Sequence, residues 1–246
     1  MKVPYVKAIN DALKEEMRRD GKIVVYGEDV AEFGGIFGET RGLLEEFGPK
    51  RVRNTPIAET AIVASAVGAA ITGLRPCVEL MYADFTMVAF TEIFHLVSKW
   101  RYMHGPEYKL PLVIRCASGS SNGAGSEHSN VVESLFMHAP GLTIVTPSCA
   151  YDAKGLLKSA VRSDNPVLFC EPKQLYQVKQ EIADGVYESD YTIPIGVADV
   201  KRPGRDVTLV AIGLMVPRAL EAAEKLSAEG IEVEVIAPRT MATLDT

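Results

Sequence analysis

Short apolar runs that alternate with longer stretches of helical spacing are the feature that most limits how this sequence can fold. Residues 23–26, 110–117 and 167–170 are apolar runs with the length of strands. Stretches with the composition or spacing of helices lie between them, among them residues 58–73 and 151–163. Because strands that alternate with helices form parallel βαβ units, the sequence predicts an α/β fold with a parallel sheet.

A second, smaller pattern of the same kind follows towards the end of the sequence. Residues 207–237 contain a strand, a helix and a strand in that order. We predict a first domain at residues 1–184, a polar, proline-containing linker at 185–205, and the start of a second α/β domain at 206–246. Since one such unit cannot cover both faces of its sheet, we expect the second domain to be truncated or completed by a partner.

Charge and composition exclude several functional classes. The 246 residues include 26 basic and 32 acidic side chains, and no basic surface of the kind that binds nucleic acid is evident. No apolar stretch is long enough for a membrane span, and the N-terminus has no apolar signal region. The four cysteines lie far apart, which is typical of reduced thiols. These features predict a cytoplasmic protein that binds neither nucleic acid nor membranes.

Several chemically informative side chains follow the predicted strands. In open parallel sheets, ligands bind beyond the carboxyl ends of the strands. Glu28 follows the first strand, Phe85 follows a strand predicted at 76–82, and His128 lies in a loop rich in Gly, Ser and Asn. Glu59 is the only charged side chain between Asn54 and Leu74. We expect a functional site where these residues converge.

Each of these residues also has a purely structural interpretation. Glu59 is a first-turn glutamate of the kind that the helix dipole favours, and the residues alone favour this interpretation. His128 could be a solvent-exposed loop histidine, and Phe85 could be a core aromatic. The sequence has no Walker loop and no Gly-x-Gly-x-x-Gly motif, so it shows no phosphate-binding loop of its own.

Motifs spread in order along nearly the whole chain resemble one known family. They include Gly27-Glu28-Asp29-Val30, Phe33-Gly34-Gly35-Ile36-Phe37, Arg51-Val52-Arg53-Asn54-Thr55-Pro56-Ile57-Ala58-Glu59, Ala83-Asp84-Phe85, His128-Ser129 and Asn165-Pro166. The chain resembles the β subunits of the thiamine-diphosphate-dependent 2-oxo acid dehydrogenases, which act on pyruvate, branched-chain 2-oxo acids or acetoin. The resemblance implies a pyrimidine-binding, transketolase-like domain followed by part of a second domain.

The resemblance also implies roles for individual residues. Glu59 matches the family glutamate that hydrogen-bonds N1′ of the cofactor's aminopyrimidine ring and so promotes removal of the thiazolium C2 proton. His128 matches the histidine that handles substrate and serves acyl transfer to a lipoyl arm, and Tyr82 lies on the substrate side. The family lines the cofactor at the positions of Glu28, Ile57, Ala58, Glu59, Met81 and Phe85. A structural potassium ion is implied at Leu112, Ala160, Val161, Ser163 and Asn165.

Cofactors and partners follow from the same resemblance. The family holds the diphosphate and Mg²⁺ with a Gly-Asp-Gly motif that lies on a separate α subunit, and this chain lacks that motif. The chain is therefore expected to act in an assembly of two α and two β subunits and to pass an acyl group to a lipoyl acyltransferase core. Phe85, as a phenylalanine and not a tyrosine, favours pyruvate or acetoin over branched-chain acids.

The chain departs from the family pattern at three points: beside His128, at Ala58 where a small hydroxyl residue is frequent, and in its shorter second domain. Two alternatives also stay open. Glu127 and Asn130 stand near His128 where glutamines are common, and an acid that met His128 would raise the pKa of the histidine. One alternative is a non-catalytic partner or scaffold of the same fold. The other is the pyrimidine half of a split transketolase-like enzyme, which would act on sugar phosphates.

Overall fold

The computed structural model describes residues 1–121 and 123–245; Asn122 and Thr246, the last residue of the predicted second domain, lie outside the described residues. The strands are β1 (Lys2–Pro4), β2 (Ile23–Gly27), β3 (Val52–Asn54), β4 (Arg75–Leu80), β5 (Val113–Ser118), β6 (Thr143–Val145), β7 (Val167–Pro172), β8 (Lys179–Glu181), β9 (Asp199–Arg202), β10 (Val207–Val210), β11 (Val233–Ala237) and β12 (Thr240–Ala242). The α-helices are α1 (Tyr5–Arg19), α2 (Leu43–Phe47), α3 (Glu59–Ile71), α4 (Trp100–His104), α5 (Glu133–Phe136), α6 (Ala150–Arg162) and α7 (Met215–Ser227).

A seven-stranded sheet in the order β12-β6-β7-β5-β4-β2-β3 forms the centre of the molecule. All of its neighbouring strands pair in parallel except β12, which is antiparallel to β6. Strands β5 and β7 are buried along their whole length, as expected for a parallel sheet that is covered on both faces. The predicted α/β fold with a parallel sheet is confirmed.

Helices cover both faces of this sheet. Helices α1 and α6 pack together over one face and share an apolar core with it. The second face carries α3, whose Ile62, Val63, Ala66 and Val67 pack in a separate core cluster. The carboxyl ends of the parallel strands point to one end of this sandwich, where the connecting loops follow.

The helix predicted after β4 is interrupted. The sequence of residues 84–103 predicts one long helix. The structure instead has a 3₁₀ turn at Ala83–Met87, a π-helix at Glu92–Val97 and then α4. The Ser98 amide donates to the Ile93 carbonyl five residues back, and the Ser98 hydroxyl donates to Phe94. The Ser98 carbonyl lies against Gly141, at a distance that a side chain on residue 141 would not allow. The wider turn is therefore linked to a long-range contact that helical spacing does not reveal.

The last part of the chain forms a small sheet and then returns to the large one. Strands β10, β11 and β9 form a three-stranded sheet, with α7 packed against β11. Strand β9 lies within the segment that the sequence suggests is a linker, and β12 adds to the edge of the seven-stranded sheet beside β6. The boundaries of the domains at 184 and 206 stay a prediction. Among the described residues, no helix has both the length and the apolar character needed to cross a bilayer.

Candidate active site

The sheet order gathers the sequence-predicted site residues at one edge. Strands β3, β2, β4 and β5 are consecutive neighbours and run parallel, so their carboxyl ends point the same way. Glu28 directly follows β2, and α3 begins at Glu59 a few residues after β3. Tyr82 and Phe85 follow β4, and the loop with His128 follows β5. The topology therefore brings four separate segments to one place.

Two carboxylates are buried side by side in this edge. Glu28 and Glu59 are each 5% exposed. Burial raises the pKa of Glu28, and the nearby charge of Glu59 raises it further. Oxygen Oε1 of Glu28 is buried with no hydrogen-bond partner. An unpaired buried oxygen is costly, so this pair suits a donor that comes from outside the chain.

An aromatic group lies on the segments that follow β4 and β5, at the same end of the sheet as the two carboxylates. The rings of Tyr82 and His128 lie 4.5 Å apart, and those of Phe85 and His128 lie 5.3 Å apart, both edge to face. The ring of Phe37 joins this group with an edge-on contact to Tyr82 at 6.2 Å. Such a cluster offers flat apolar surfaces to a planar ligand next to a proton-exchanging imidazole.

The remaining predicted lining residues differ in exposure. Ile57 is 82% exposed, whereas Ala58, Met81 and Phe85 are half-buried. Ala58 is the N-cap of α3 and makes no side-chain capping hydrogen bond. An apolar residue as exposed as Ile57 beside two buried acids is consistent with a surface that a ligand or another chain covers.

The loop that carries His128 is fixed at a few points, and the sequence predicted none of them. The Lys173 ammonium donates to the backbone carbonyl of His128, and the Asp84 carboxylate accepts from the Asn130 amide groups. Glu127 is exposed, and the described contacts of His128 include no hydrogen bond from it. Lys173 immediately follows β7, so the strand-end rule would have found it if applied to that strand as well.

A buried ion cluster lies beneath the site in the centre of the sheet. Arg115 of β5 forms hydrogen-bonded ion pairs at 2.7 Å with Glu79 of β4 and Glu171 of β7. Burial raises the pKa of Glu79 well above its usual range, and the charge of Glu39 adds to this while Arg115 opposes it. Charged residues in the middle of apolar strands were a readable signal of such a cluster, since neighbouring strands place them side by side.

Two of the five residues assigned to potassium by resemblance contact Arg75. Its guanidinium donates to the carbonyl of Val161 at 2.9 Å and to that of Ser163. The carbonyls of Leu112, Ala160 and Asn165 accept hydrogen bonds from other groups of the chain. A carbonyl oxygen has two lone pairs, so these contacts do not decide the potassium assignment, which stays a prediction. Over residues 1–121 and 123–245, no cluster of three His, Cys, Asp or Glu side chains could hold a metal ion.

Comparison with known families identifies the class to which this fold and site belong. The family described as the pyrimidine binding domain of transketolase matches residues 1–179. The family described as the transketolase C-terminal domain matches residues 196–246. The molecule is thus a transketolase-type α/β protein, a class in which the matched first domain is named for binding a pyrimidine.

Comparison with individual proteins identifies a more specific family within this class. The chain is 47% identical to the β subunit of 2-oxoisovalerate dehydrogenase from Bacillus subtilis, over 98% of this chain and 73% of the relative. It is 44% identical to the β subunit of acetoin:2,6-dichlorophenolindophenol oxidoreductase from Cupriavidus necator, over 97% and 72%. It is 42% identical to the mitochondrial β subunit of the pyruvate dehydrogenase E1 component of Drosophila melanogaster, over 97% and 66%. The chain belongs to the β-subunit family of the thiamine-diphosphate-dependent 2-oxo acid dehydrogenases.

A solved structure agrees with this placement. An inactive β4 tetramer of a split-gene transketolase aligns with a TM-score of 0.80 and 26% identity, covering 99% of this chain and 73% of that one. The chain spans about three-quarters of this structure and of the first two relatives. The resemblance to the dehydrogenase β subunits and the transketolase-like fold are therefore confirmed.

Proposed function

We propose that this chain supplies half of the active site of a 2-oxo acid dehydrogenase and is active only with an α subunit. The observation that carries the proposal is the buried pair of Glu28 and Glu59, in which Oε1 of Glu28 has no partner. The pair lies at the same end of the sheet as the clustered rings of Tyr82, Phe85 and His128. A donor from outside the chain would satisfy the free oxygen of Glu28. A protonated ring nitrogen of the cofactor's pyrimidine is such a donor, so the chain's residues fit this group.

Residues Glu28, Ile57, Ala58, Glu59, Met81 and Phe85 would hold the pyrimidine end of thiamine diphosphate. When bound, this cofactor supplies the electron sink that the decarboxylation of a 2-oxo acid requires. The Glu59 carboxylate keeps a proton at the ring nitrogen that faces it, and its poor solvation strengthens that hydrogen bond. Phe85 would pack on the pyrimidine ring. Glu28 is a second acidic side chain beside Glu59.

His128 and Tyr82 would handle the substrate. The His128 imidazole lies against both the Tyr82 and Phe85 rings, so it is held at the mouth of the same site. An imidazole can give or accept a proton near neutral pH. We assign His128 to substrate handling and to acyl transfer onto a lipoyl group, and Tyr82 to the substrate side.

The diphosphate and Mg²⁺ are assigned to an α subunit. The chain has no glycine-rich phosphate loop, and its Asp20-Gly21 and Asp184-Gly185 pairs lack the preceding glycine of the expected motif. The cofactor would thus bridge two chains in an assembly of two α and two β subunits, which delivers acyl groups to a lipoyl acyltransferase core.

Potassium at Leu112, Ala160, Val161, Ser163 and Asn165 is a separate proposal. Its support is the resemblance to the family, since the carbonyls of Val161 and Ser163 accept hydrogen bonds from Arg75 in this structure. Thermal unfolding of the chain in potassium chloride and in sodium chloride at equal ionic strength tests it. A higher Tm in potassium is expected, and equal values would contradict it.

Reconstitution tests the main proposal. The chain is purified with a candidate α subunit and assayed with thiamine diphosphate, Mg²⁺ and an artificial electron acceptor. CO₂ release is measured for pyruvate and branched-chain 2-oxo acids, and cleavage products are measured for acetoin. Activity in the mixture and in neither chain alone is the expected result. A stable complex that is inactive on every substrate would favour the non-catalytic scaffold.

The split transketolase-like enzyme is the second candidate, because the aligned solved structure is named a split-gene transketolase. Sugar phosphates in the same panel distinguish it. A transketolase half should turn over sugar phosphates and not 2-oxo acids. The exposed Glu127 beside His128 disfavours this candidate, since an acid repels phosphate at the mouth of the site.

A further inference from the structure

Lys173 is a buried lysine without an acidic partner. It is 5% exposed, and among the residues that the structure describes no carboxylate lies within ion-pair distance of it. Burial lowers the pKa of its ammonium, and the more distant charge of Asp84 partly opposes this. Its Nζ donates to the backbone carbonyl of His128 and lies 4.7 Å from the centre of the Tyr82 ring. Lysine is rarely buried without a paired charge, so its contacts with the site need an explanation.

A second buried lysine shows what a structural role looks like in the same molecule. Lys154 is 1% exposed, donates to the Tyr187 carbonyl and lies 4.2 Å from that tyrosine ring. Unlike Lys173, it also forms an ion pair at 2.7 Å with Glu15. Both lysines therefore connect a backbone carbonyl and an aromatic ring, but only the one far from the site has its charge balanced by a carboxylate.

Lys173 is one of several residues that fix the loop around His128 by hydrogen bonds. The loop is rich in glycine and serine, and its last residues are held by Asp84 through Asn130. At its other end, Gln174 donates to the Ser120 carbonyl at 3.1 Å. Among the hydrogen bonds that the structure describes for this loop, the one from Lys173 is made to His128 itself. The same ammonium also lies over Tyr82, so it connects the histidine and the tyrosine that face each other.

We propose that Lys173 is a positioning residue that holds His128 against Tyr82 and Phe85. The proposal rests on the proposed function of His128 in acyl transfer. Lys173 acts through the main chain of His128 and takes no part in the chemistry. Without this hydrogen bond, the loop would let the histidine sample many orientations. A displacement of about 1 Å at a reacting group costs up to about 100-fold in rate.

The variants Lys173→Met and Lys154→Met test this in the complex with the α subunit. Both keep an unbranched side chain of similar length and remove the ammonium. With Lys173→Met we expect acyl transfer to a lipoyl acceptor to fall about 10- to 100-fold, and CO₂ release with an artificial oxidant to fall less. With Lys154→Met we expect a lower Tm and no change in the ratio of the two rates. Lys173→Arg, which retains a cationic donor, should recover part of the transfer rate.

Heteronuclear NMR of the chain with isotope-labelled histidines reports on the His128 ring directly. This measurement does not depend on enzymatic activity. The chain has four histidines, so the His128 ring signal is assigned by its loss in His128→Ala. Lys173→Met should shift or broaden that signal, and Lys154→Met should not. The double variant Lys173→Met with His128→Ala should transfer no more slowly than His128→Ala alone.

Three results would overturn the proposal: an unshifted His128 signal in Lys173→Met, the same rate ratio as in Lys154→Met, or losses that multiply in the double variant. If Lys173→Met does not fold, Lys173→Gln is compared by the same NMR measurement. Failure of the proposed function would give a different result, namely a wild-type complex that releases no CO₂. The NMR comparison would still test the contact between Lys173 and His128 in that case.

Discussion

Glu59 shows how burial changes the meaning of a residue. A first-turn glutamate that serves only the helix dipole can remain in solvent, where its charge costs nothing to keep. Glu59 is instead 5% exposed and lies beside the buried acid Glu28. A structural role would favour neither feature, because two neighbouring buried acids destabilise each other. The arrangement therefore supports the proposed role of Glu59 in holding the cofactor.

The raised pKa of Glu28 predicts a pH dependence of folding stability. Because burial and the charge of Glu59 raise this pKa above its ordinary value of 4.5, folding makes the ionised form less favourable. The penalty is present at neutral pH and is relieved as the pH falls through the raised value. Urea unfolding of wild type and Glu28→Gln between neutral pH and about 4.5 measures it. Wild type should gain stability relative to the variant on acidification; a constant difference would contradict the assignment.

His128 should be needed more for acyl transfer than for decarboxylation. In the complex with the α subunit, His128→Ala is expected to lower transfer to lipoamide by about 100-fold or more, the scale of a lost acid–base group. CO₂ release with an artificial electron acceptor should fall much less. Glu127→Gln, an exposed change in the same loop, is the control. Equal losses in both assays for His128→Ala would argue against the transfer role.

The strand-end rule explains which site residues could be predicted from sequence. Glu28, Phe85 and His128 follow apolar runs that are visible in the sequence, and the structure places them at one edge. Lys173 was missed because that rule was not extended to β7, and Asp84 was missed because its partner Asn130 lies 46 residues away. Long-range hydrogen bonds leave no periodic signal in a single sequence.

An ion cluster around Asp152 joins α6 to the last part of the chain. Asp152 is fully buried and pairs with Lys201 of β9 at 2.7 Å and with Arg239 at 2.8 Å. Burial acts to raise the pKa of Asp152, but the two cations outweigh it and hold the pKa below its ordinary value. This cluster connects β9 and the residue before β12 to a helix of the large sheet.

Removing this carboxylate should destabilise the fold strongly. Asp152→Asn leaves two cations near each other with only Asp199 to balance them, and a broken buried pair costs about 3–5 kcal/mol. Asp190→Asn is the control, because Asp190 is 69% exposed and its pairs with Lys158 and Arg162 should contribute about 1 kcal/mol or less. Urea unfolding measures both. A loss below about 1 kcal/mol for Asp152→Asn would contradict the importance of the cluster.

Regular elements were more predictable than the places where elements meet. The helices near 59–71 and 150–162 and the strand at Val233–Ala237 agree closely with the predicted ranges. Helical spacing did not reveal the break between Ala83 and α4, because that break depends on the contact with Gly141. The pairing of β12 with β6 was also missed, since a three-residue strand has no periodicity of its own.

At the scale of the whole molecule, the proposed function treats this chain as one half of a shared site. The acids and aromatic rings lie at the sheet edge beside the exposed Ile57, and the chain shows no phosphate loop. Half of a shared site accounts for all of these features, because a second chain would cover the edge and hold the diphosphate. The predicted consequence is that neither chain alone turns over a substrate.

CO₂ release by reconstituted complexes that carry Glu59→Gln tests the central claim most directly. Glu45→Gln is the matched control, because Glu45 is an exposed first-turn acid of α2. We predict that all three β chains form the complex and that wild type and Glu45→Gln release CO₂ at similar rates. Glu59→Gln should lose nearly all activity while it keeps its Tm within a few degrees. Wild-type rates from Glu59→Gln, or turnover by the β chain alone, would contradict the account.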